Sequence, residues 1–217
     1  MKRALVIALA ASLCDPVLAH AGSFVVTVKD SKGVPVLDAV VYAEPLVGDK
    51  QKSKAQSAVI DQQNQQFVSY VSAIEAGTAV RFPNKDNIRH HVYSFSPAKK
   101  FELPLYAGIP AEPVVFEQPG VVTLGCNIHD WMLAYVAVLG TPHFQITRAD
   151  GRVTLMGLPA GSYKLEVWQP RMKATSGQLA QTIELGGAEN KEVSFALELK
   201  PDFRTKKAPS LNPEGYR

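Results

Sequence analysis

Cysteine is almost absent from this chain: only Cys14 and Cys126 occur in 217 residues. That excludes a small scaffold stapled by disulfides, which needs cysteines in numbers. Long apolar runs are missing too; beyond the first residues none has the length of a membrane helix. Charge of one sign is not in excess. A formal net charge of +3 gives no basic face of the kind that binds nucleic acid. The glycine-rich phosphate loop, the nucleophile elbow and the paired-histidine zinc-protease motif are all lacking. Long helical periodicities are scarce, and no aromatic platform for a sugar is evident.

The first residues have the pattern of an export signal. Lys2 and Arg3 precede an apolar stretch, Ala4 to Leu13, which is too short to span a bilayer. Ala19-His20-Ala21 is a small-x-small cleavage site, so residues 1–21 are expected to leave and the mature chain to begin at Gly22. Bulky Leu13 argues against Cys14 as a lipoprotein cysteine. The basic start and short apolar core suggest a bacterial periplasm. Losing Lys2, Arg3 and Asp15 takes the formal charge from +3 to +2. Cys126 is then a solitary thiol in an oxidising compartment, where cysteines are usually paired. It is either buried and inert, or occupied by a metal, and the second reading fits its neighbours.

Fifteen glycines, fifteen prolines and many short valine-rich runs indicate an all-β protein. Phe24–Val28 and Ala39–Ala43 are expected strands around a turn at Asp30–Gly33. Pro45 to Ala58 reads as an exposed connection, Gln62 to Gln66 as a polar tract, and Phe67–Val71 as a strand. Glu75–Thr78 is a turn into Ala79–Phe82, and Pro83–Asn87 a loop before a strand over Arg89–Phe95. Phe101 to Pro113, broken by proline and glycine, reads mostly as loop. Val114–Phe116 and Val121–Leu124 form a hairpin leading into Cys126, and Leu133–Leu139 follows as a strand. The last strands are expected over Arg152–Leu155, Tyr163–Trp168, Gln178–Leu185 and Glu192–Leu199, with a loosely ordered tail over 201–217.

Chemistry concentrates in Gly125-Cys126-Asn127-Ile128-His129-Asp130-Trp131-Met132, with His90-His91 about thirty-five residues earlier. A thiolate, two imidazoles and a thioether are the donors of a trigonal mononuclear copper site with a weak axial sulfur. Alone, each residue has a duller reading: a small core cysteine, a core methionine, surface histidines. Together they would have to coincide in order and flanks. Strand alternation puts only one of His90 and His91 on a given face.

The spacing Cys126-x-x-His129-x-x-Met132 follows Pro119-Gly120-Val-Val-Thr-Leu, and before that come Phe82-x-Asn84-x-Asp86 and His90-x-Val92. With these motifs the chain resembles the cupredoxins, most of all the amicyanin type and the cupredoxin-domain methylamine-utilisation proteins. The resemblance spans roughly Val59 to Leu139. It implies a Greek-key β-sandwich holding one type 1 (blue) copper through His90, Cys126, His129 and Met132. His90 is favoured over His91 because the family places a hydrogen-bonding residue and then an apolar one after the first ligand, roles matched by His91 and Val92. Asn84, Asp86, His91 and Asn127 are candidates for bracing the ligands, although Asn84 and Asp86 also suit plain turn chemistry. The chain departs from the amicyanin pattern in having Asn127, Ile128 and Asp130 where prolines are usual. Such a loop offers more backbone N–H groups to the Cys126 sulfur. Trp131 is read equally as a packing aromatic or a docking residue.

The flanks carry a second resemblance. Val26 to Ala43 and Thr147 to Trp168 look like two halves of a carboxypeptidase-regulatory or transthyretin-like β-sandwich. The expected organisation is therefore a copper domain over 59–140 inserted between residues 22–58 and 141–200 of a second sandwich. Three functions stay open. The first is an electron carrier between redox proteins, a dehydrogenase and a cytochrome among the candidates, in methylamine or amine oxidation. The second is a copper-delivery protein, and the third a carbohydrate-binding-like module. An enzyme is not expected, because the four ligands leave the metal no open position.

Overall fold

The computed structural model describes residues 21–48, 56–110, 112–173, 179–202 and 204. The expected export signal, apart from Ala21, lies outside the described residues, as do Gln178 and almost all of the tail. Every regular element described is a β-strand, so the protein is all-β as its composition implies.

Two of the four sheets face each other around one core. The first has the order β12-β1-β15, with β1 at Gly22–Asp30, β12 at Arg152–Leu158 and β15 at Asn190–Leu197. The second runs β11-β2-β13-β14, with β2 at Val40–Pro45, β11 at Phe144–Ile146, β13 at Gly161–Trp168 and β14 at Ala180–Leu185. Strands far apart in sequence pair directly. Phe24 lies opposite Leu155, and Leu165 opposite Ala43. Phe24, Val26, Val41, Leu155, Leu165 and Phe195 fill the space between the two sheets. Their alternation along each strand is the period-2 pattern that buries one face.

The other two sheets enclose the candidate site. Five strands run β4-β10-β9-β6-β7: β4 is Val71–Glu75, β6 His90–Ser96, β7 Lys99–Tyr106, β9 Gly120–Cys126 and β10 Leu133–Leu139. Three more, β3 (Ser57–Val59), β5 (Thr78–Arg81) and β8 (Val114–Phe116), cover them. Between the layers, Phe82 packs with Phe101 and Phe116 at centroid distances of 5.5 and 6.5 Å, beside Val92, Leu124 and Val136. Full burial of each such side chain contributes about 1.5–3 kcal/mol, and this clamps β6 against β9.

β10 is buried on both faces. Ala134, Val136 and Val138 point into this core, whereas Ala137 and Leu139 join Val40, Val71, Phe144 and Trp168 in a third apolar layer. That layer seats the five-stranded sheet on the β11-β2-β13 sheet.

Three local expectations are corrected. Val114–Phe116 and Val121–Leu124 do not form the expected hairpin: β8 pairs with β5, and β9 pairs with β10 and β6 in the facing sheet. Lys99–Tyr106 is a strand despite Pro104. It is an edge strand, and Pro104-Leu105 falls where the register slips between Val92↔Leu103 and His90↔Tyr106. An edge or bulge is where a missing N–H is tolerated. The strand expected over Phe67–Val71 begins only at Val71, because Ser69, at φ 80°, breaks the extended run.

Candidate metal centre

Three backbone features bring the candidate donors together. His90 opens β6 on the inward face that also carries Val92 and Ser94, and Cys126 ends β9 directly opposite Val92. The turn from β9 to β10 supplies His129 and Met132, closed by the Met132 N–H donating to the His129 carbonyl at 3.0 Å. Leu133 pairs with Gly125 immediately after, so the turn stands on a fixed ladder.

The Cys126 Sγ lies 3.9 Å from His90 Nδ1 and 3.6 Å from His129 Nδ1. All three donor atoms sit within 4.8 Å of one another. These distances can be tested against a trigonal centre. Bonds of about 2.3 Å to sulfur and about 2.05 Å to nitrogen, opened to 120°, separate the two atoms by about 3.8 Å. Both observed separations bracket that value, so the pocket fits one mononuclear copper.

Burial completes the picture. His90 is 0 %, Cys126 4 %, His129 8 % and Met132 2 % exposed. Met132 belongs to the same apolar cluster as Cys126. The rings of His90 and His129 meet edgewise at 5.0 Å. Burial, and then the neighbouring His90, hold the His129 imidazole below its ordinary pKa, partly countered by Asp86. Its neutral form, the one with a free lone pair, is thereby favoured.

The braces around the donors divide clearly. Asp86 accepts from or shares a proton with His90 Nε2 at 2.8 Å, leaving Nδ1 to face the sulfur. The same carboxylate accepts the N–H groups of Asn64 at 2.6 Å and Gln65 at 2.8 Å. Burial pushes the Asp86 carboxyl up, but these three partners outweigh it and hold it below the usual range. Asn84 serves both proposed ends: its Oδ1 accepts the Asp86 N–H at 2.9 Å, a turn bond, while its Nδ2 donates to the carbonyls of Ile88 and Tyr106 at 2.8 and 3.1 Å.

The other two candidates stand apart. His91 points to the opposite face by strand alternation, with Nε2 2.9 Å from Glu102 Oε1 but off the line of a hydrogen bond. The Asn127 N–H donates to the His91 carbonyl at 3.3 Å rather than to the Cys126 sulfur. The donor expected from the absent proline is consumed in pairing the turn to β6. Trp131 lies over His129, with ring centroids 5.0 Å apart, and its Nε1–H donates to the Gln65 carbonyl at 3.0 Å.

Sequence reasoning missed Gln65, Gln62 and Tyr106. Tyr106 lies opposite His90 in register and donates to the Phe82 carbonyl at 2.7 Å, with Gln62 beside it. Only the polar tract Gln62–Gln66 hinted at a tight turn, and it carries no glycine or proline to mark one.

No family model matches the chain, and no curated protein matches it either. Solved structures do resemble part of it. The copper-containing nitrite reductase of Thermus scotoductus SA-01 is 20% identical, with 44% of this chain and 25% of that one aligned at a TM-score of 0.37. A purple cupredoxin from Nitrosopumilus maritimus is 24% identical over 39% of this chain and 100% of its own, at a TM-score of 0.33. A variant of amicyanin in its reduced Cu(I) form is 17% identical over 45% of this chain and 99% of its own, at a TM-score of 0.35. The chain thus spans a quarter of the reductase, all of the purple cupredoxin and nearly all of the amicyanin variant.

Proposed function

We propose that this chain is an exported electron carrier of the cupredoxin type, built around one copper held by His90, Cys126, His129 and Met132. The observation that carries the reading is the convergence of one thiol and two imidazole nitrogens, buried and spaced for a trigonal metal. Copper bound there supplies one-electron redox chemistry, cycling between Cu(I) and Cu(II). The protein's part is to keep the donors still. His90 and Cys126 are fixed on paired strands, and His129 and Met132 on the short turn between β9 and β10, so little moves when charge changes. Four protein ligands leave no position for a substrate, which favours a carrier over a catalyst.

His129 is the natural exit for an electron, being the donor with most surface, and apolar Leu105 on β7 and Ile88, Ile109 and Ile128 outside the strands are exposed at this end. Such a rim suits brief docking with redox proteins. The export pattern supports a periplasmic location, and the amicyanin-type spacing supports an amine dehydrogenase as donor and a cytochrome as acceptor. The pairing of β1 with β12 and of β2 with β13 supports a copper domain inserted within a second sandwich, whose two halves close on either side of it.

Reconstitution of the mature protein with Cu(II) tests the function. An intense thiolate-to-copper colour, bleached and restored by one electron, is the expected result. A colourless complex that takes only Cu(I) would instead indicate copper delivery and sink the carrier reading.

A further inference from the structure

The polar tract before β4 folds into a tight turn. Gln62 and Phe67 are bridged, and Gln63 and Gln66 exchange backbone bonds, N–H to carbonyl, at 2.9 and 3.2 Å. Between them Asn64 and Gln65 have φ of 56° and 57°. Two successive positive φ values define a type I′ turn, normally built from Asn and Gly. Glutamine at its second corner is strained, and a geometry of that kind persists only where surroundings impose it.

The surroundings are the site itself. The turn aims the Asn64 and Gln65 N–H groups side by side at the Asp86 carboxylate, which also holds His90 Nε2. The carbonyl of Gln65 accepts the Trp131 indole N–H, and Trp131 lies against His129. Gln62 roots the turn: its N–H donates to the Pro83 carbonyl and its own carbonyl accepts the Lys85 N–H, both at 2.9 Å. Its side chain is fully buried and donates to the Phe82 carbonyl.

We propose that the Gln63–Gln66 turn is a positioning clamp joining the two histidine donors, in which the backbone of Gln65 steadies His90 through Asp86 and His129 through Trp131. Its purpose rests on the copper reading, but its mechanics do not. One residue's two backbone groups set the separation of two ring nitrogens before any metal arrives. The ordering cost of bringing the donors together is then met in folding rather than in metal binding. The strained corner is kept because only that conformation presents the N–H to one ligand's brace and the carbonyl to the other's.

Three variants test this. Trp131→Phe keeps a ring over His129 and removes only the indole donor. Asp86→Asn keeps the shape of the brace and removes its charge. Gln65→Gly keeps both backbone groups and relieves the corner. Cu(I) affinity is read by competition with a chelator of known strength. Each of the first two variants is expected to weaken Cu(I) binding about 10–100-fold. The double variant is expected to lose clearly less than the product of the two, because both act through one turn. Gln65→Gly, which suits two successive positive φ values, is expected to raise the urea stability of the metal-free protein. Losses that multiply fully, or a Trp131→Phe protein that binds as wild type does, would overturn the clamp. So would a Gln65→Gly protein less stable to urea than wild type. A second readout separates the clamp from the copper reading: nitrogen-15 relaxation of the histidine rings in metal-free protein. Trp131→Phe should increase the motion of the His129 ring there. If wild type takes up no copper the functional reading fails, whereas an unchanged His129 ring in metal-free Trp131→Phe removes the clamp itself.

Discussion

Gly125, immediately before Cys126, is a place where the structure forbids a side chain for a specific reason. A Cβ built there would lie 2.8 Å from Tyr93 Cζ and 2.9 Å from its hydroxyl, on the neighbouring strand. The Tyr93 ring is flanked by His91 at 6.0 Å and Phe95 at 5.1 Å, so the far end of the ring must shift to admit a methyl group. Overpacking of this kind costs about 1–3 kcal/mol. Replacing glycine by alanine also restricts the unfolded chain, which offsets about 0.4–1 kcal/mol. Gly125→Ala should therefore destabilise the metal-free protein by about 1–2 kcal/mol, measured by urea denaturation. In a Tyr93→Ala background the obstacle is gone, and the same change should be neutral or stabilising by up to about 1 kcal/mol. An equal cost in both backgrounds would show that Tyr93 is not what Gly125 makes room for.

Four further outcomes follow from the same geometry. Cys126→Ala should abolish the thiolate-to-copper absorption outright, and a variant whose spectrum is unchanged would void the ligand assignment. Met132→Leu should keep the colour and raise the reduction potential in voltammetry, because the axial donor is lost. His91→Ala should bind copper as wild type does while His90→Ala should not, since alternation sends only His90 inward; metal titration of both decides this. Burial, first among the causes in each case, pushes Tyr42, Tyr70 and Tyr106 to about 12 from an ordinary 10.0. A phenol with a raised native pKa contributes stability that is complete below the unfolded value and is lost as pH rises through the native one. Phenolate absorbance should thus show these three ionising only near pH 12, with stability falling between 10 and 12; all tyrosines ionising together near 10 would contradict it.

The legible parts of this protein are those in which local pattern and tertiary role coincide. The end of β9 with Cys126 and the turn with His129 and Met132 are contiguous, so the spacing of these candidate donors is written in the sequence. Alternation admits only one of His90 and His91 to the inner face; the resemblance favours His90, and the structure places it inward with Val92. What escaped depends on context. Pro104 looks like a strand breaker, and only the position of β7 at a sheet edge makes it harmless. Phe67 and Val71 look like one strand until Ser69 turns the chain. The Asn64-Gln65 corner has no turn residue at its second position, because the Asp86 carboxylate and the Trp131 indole impose the conformation from outside. His91 and Asn127 were credible braces by proximity in sequence, yet the pleat turns one away and backbone pairing consumes the other.

X-ray absorption at the copper edge of the reconstituted protein tests the central claim most directly. The account predicts one copper per chain with one short sulfur and two nitrogen neighbours, a shell that barely changes between the two oxidation states. A shell of nitrogen and oxygen alone, or one that rearranges on reduction, would contradict it.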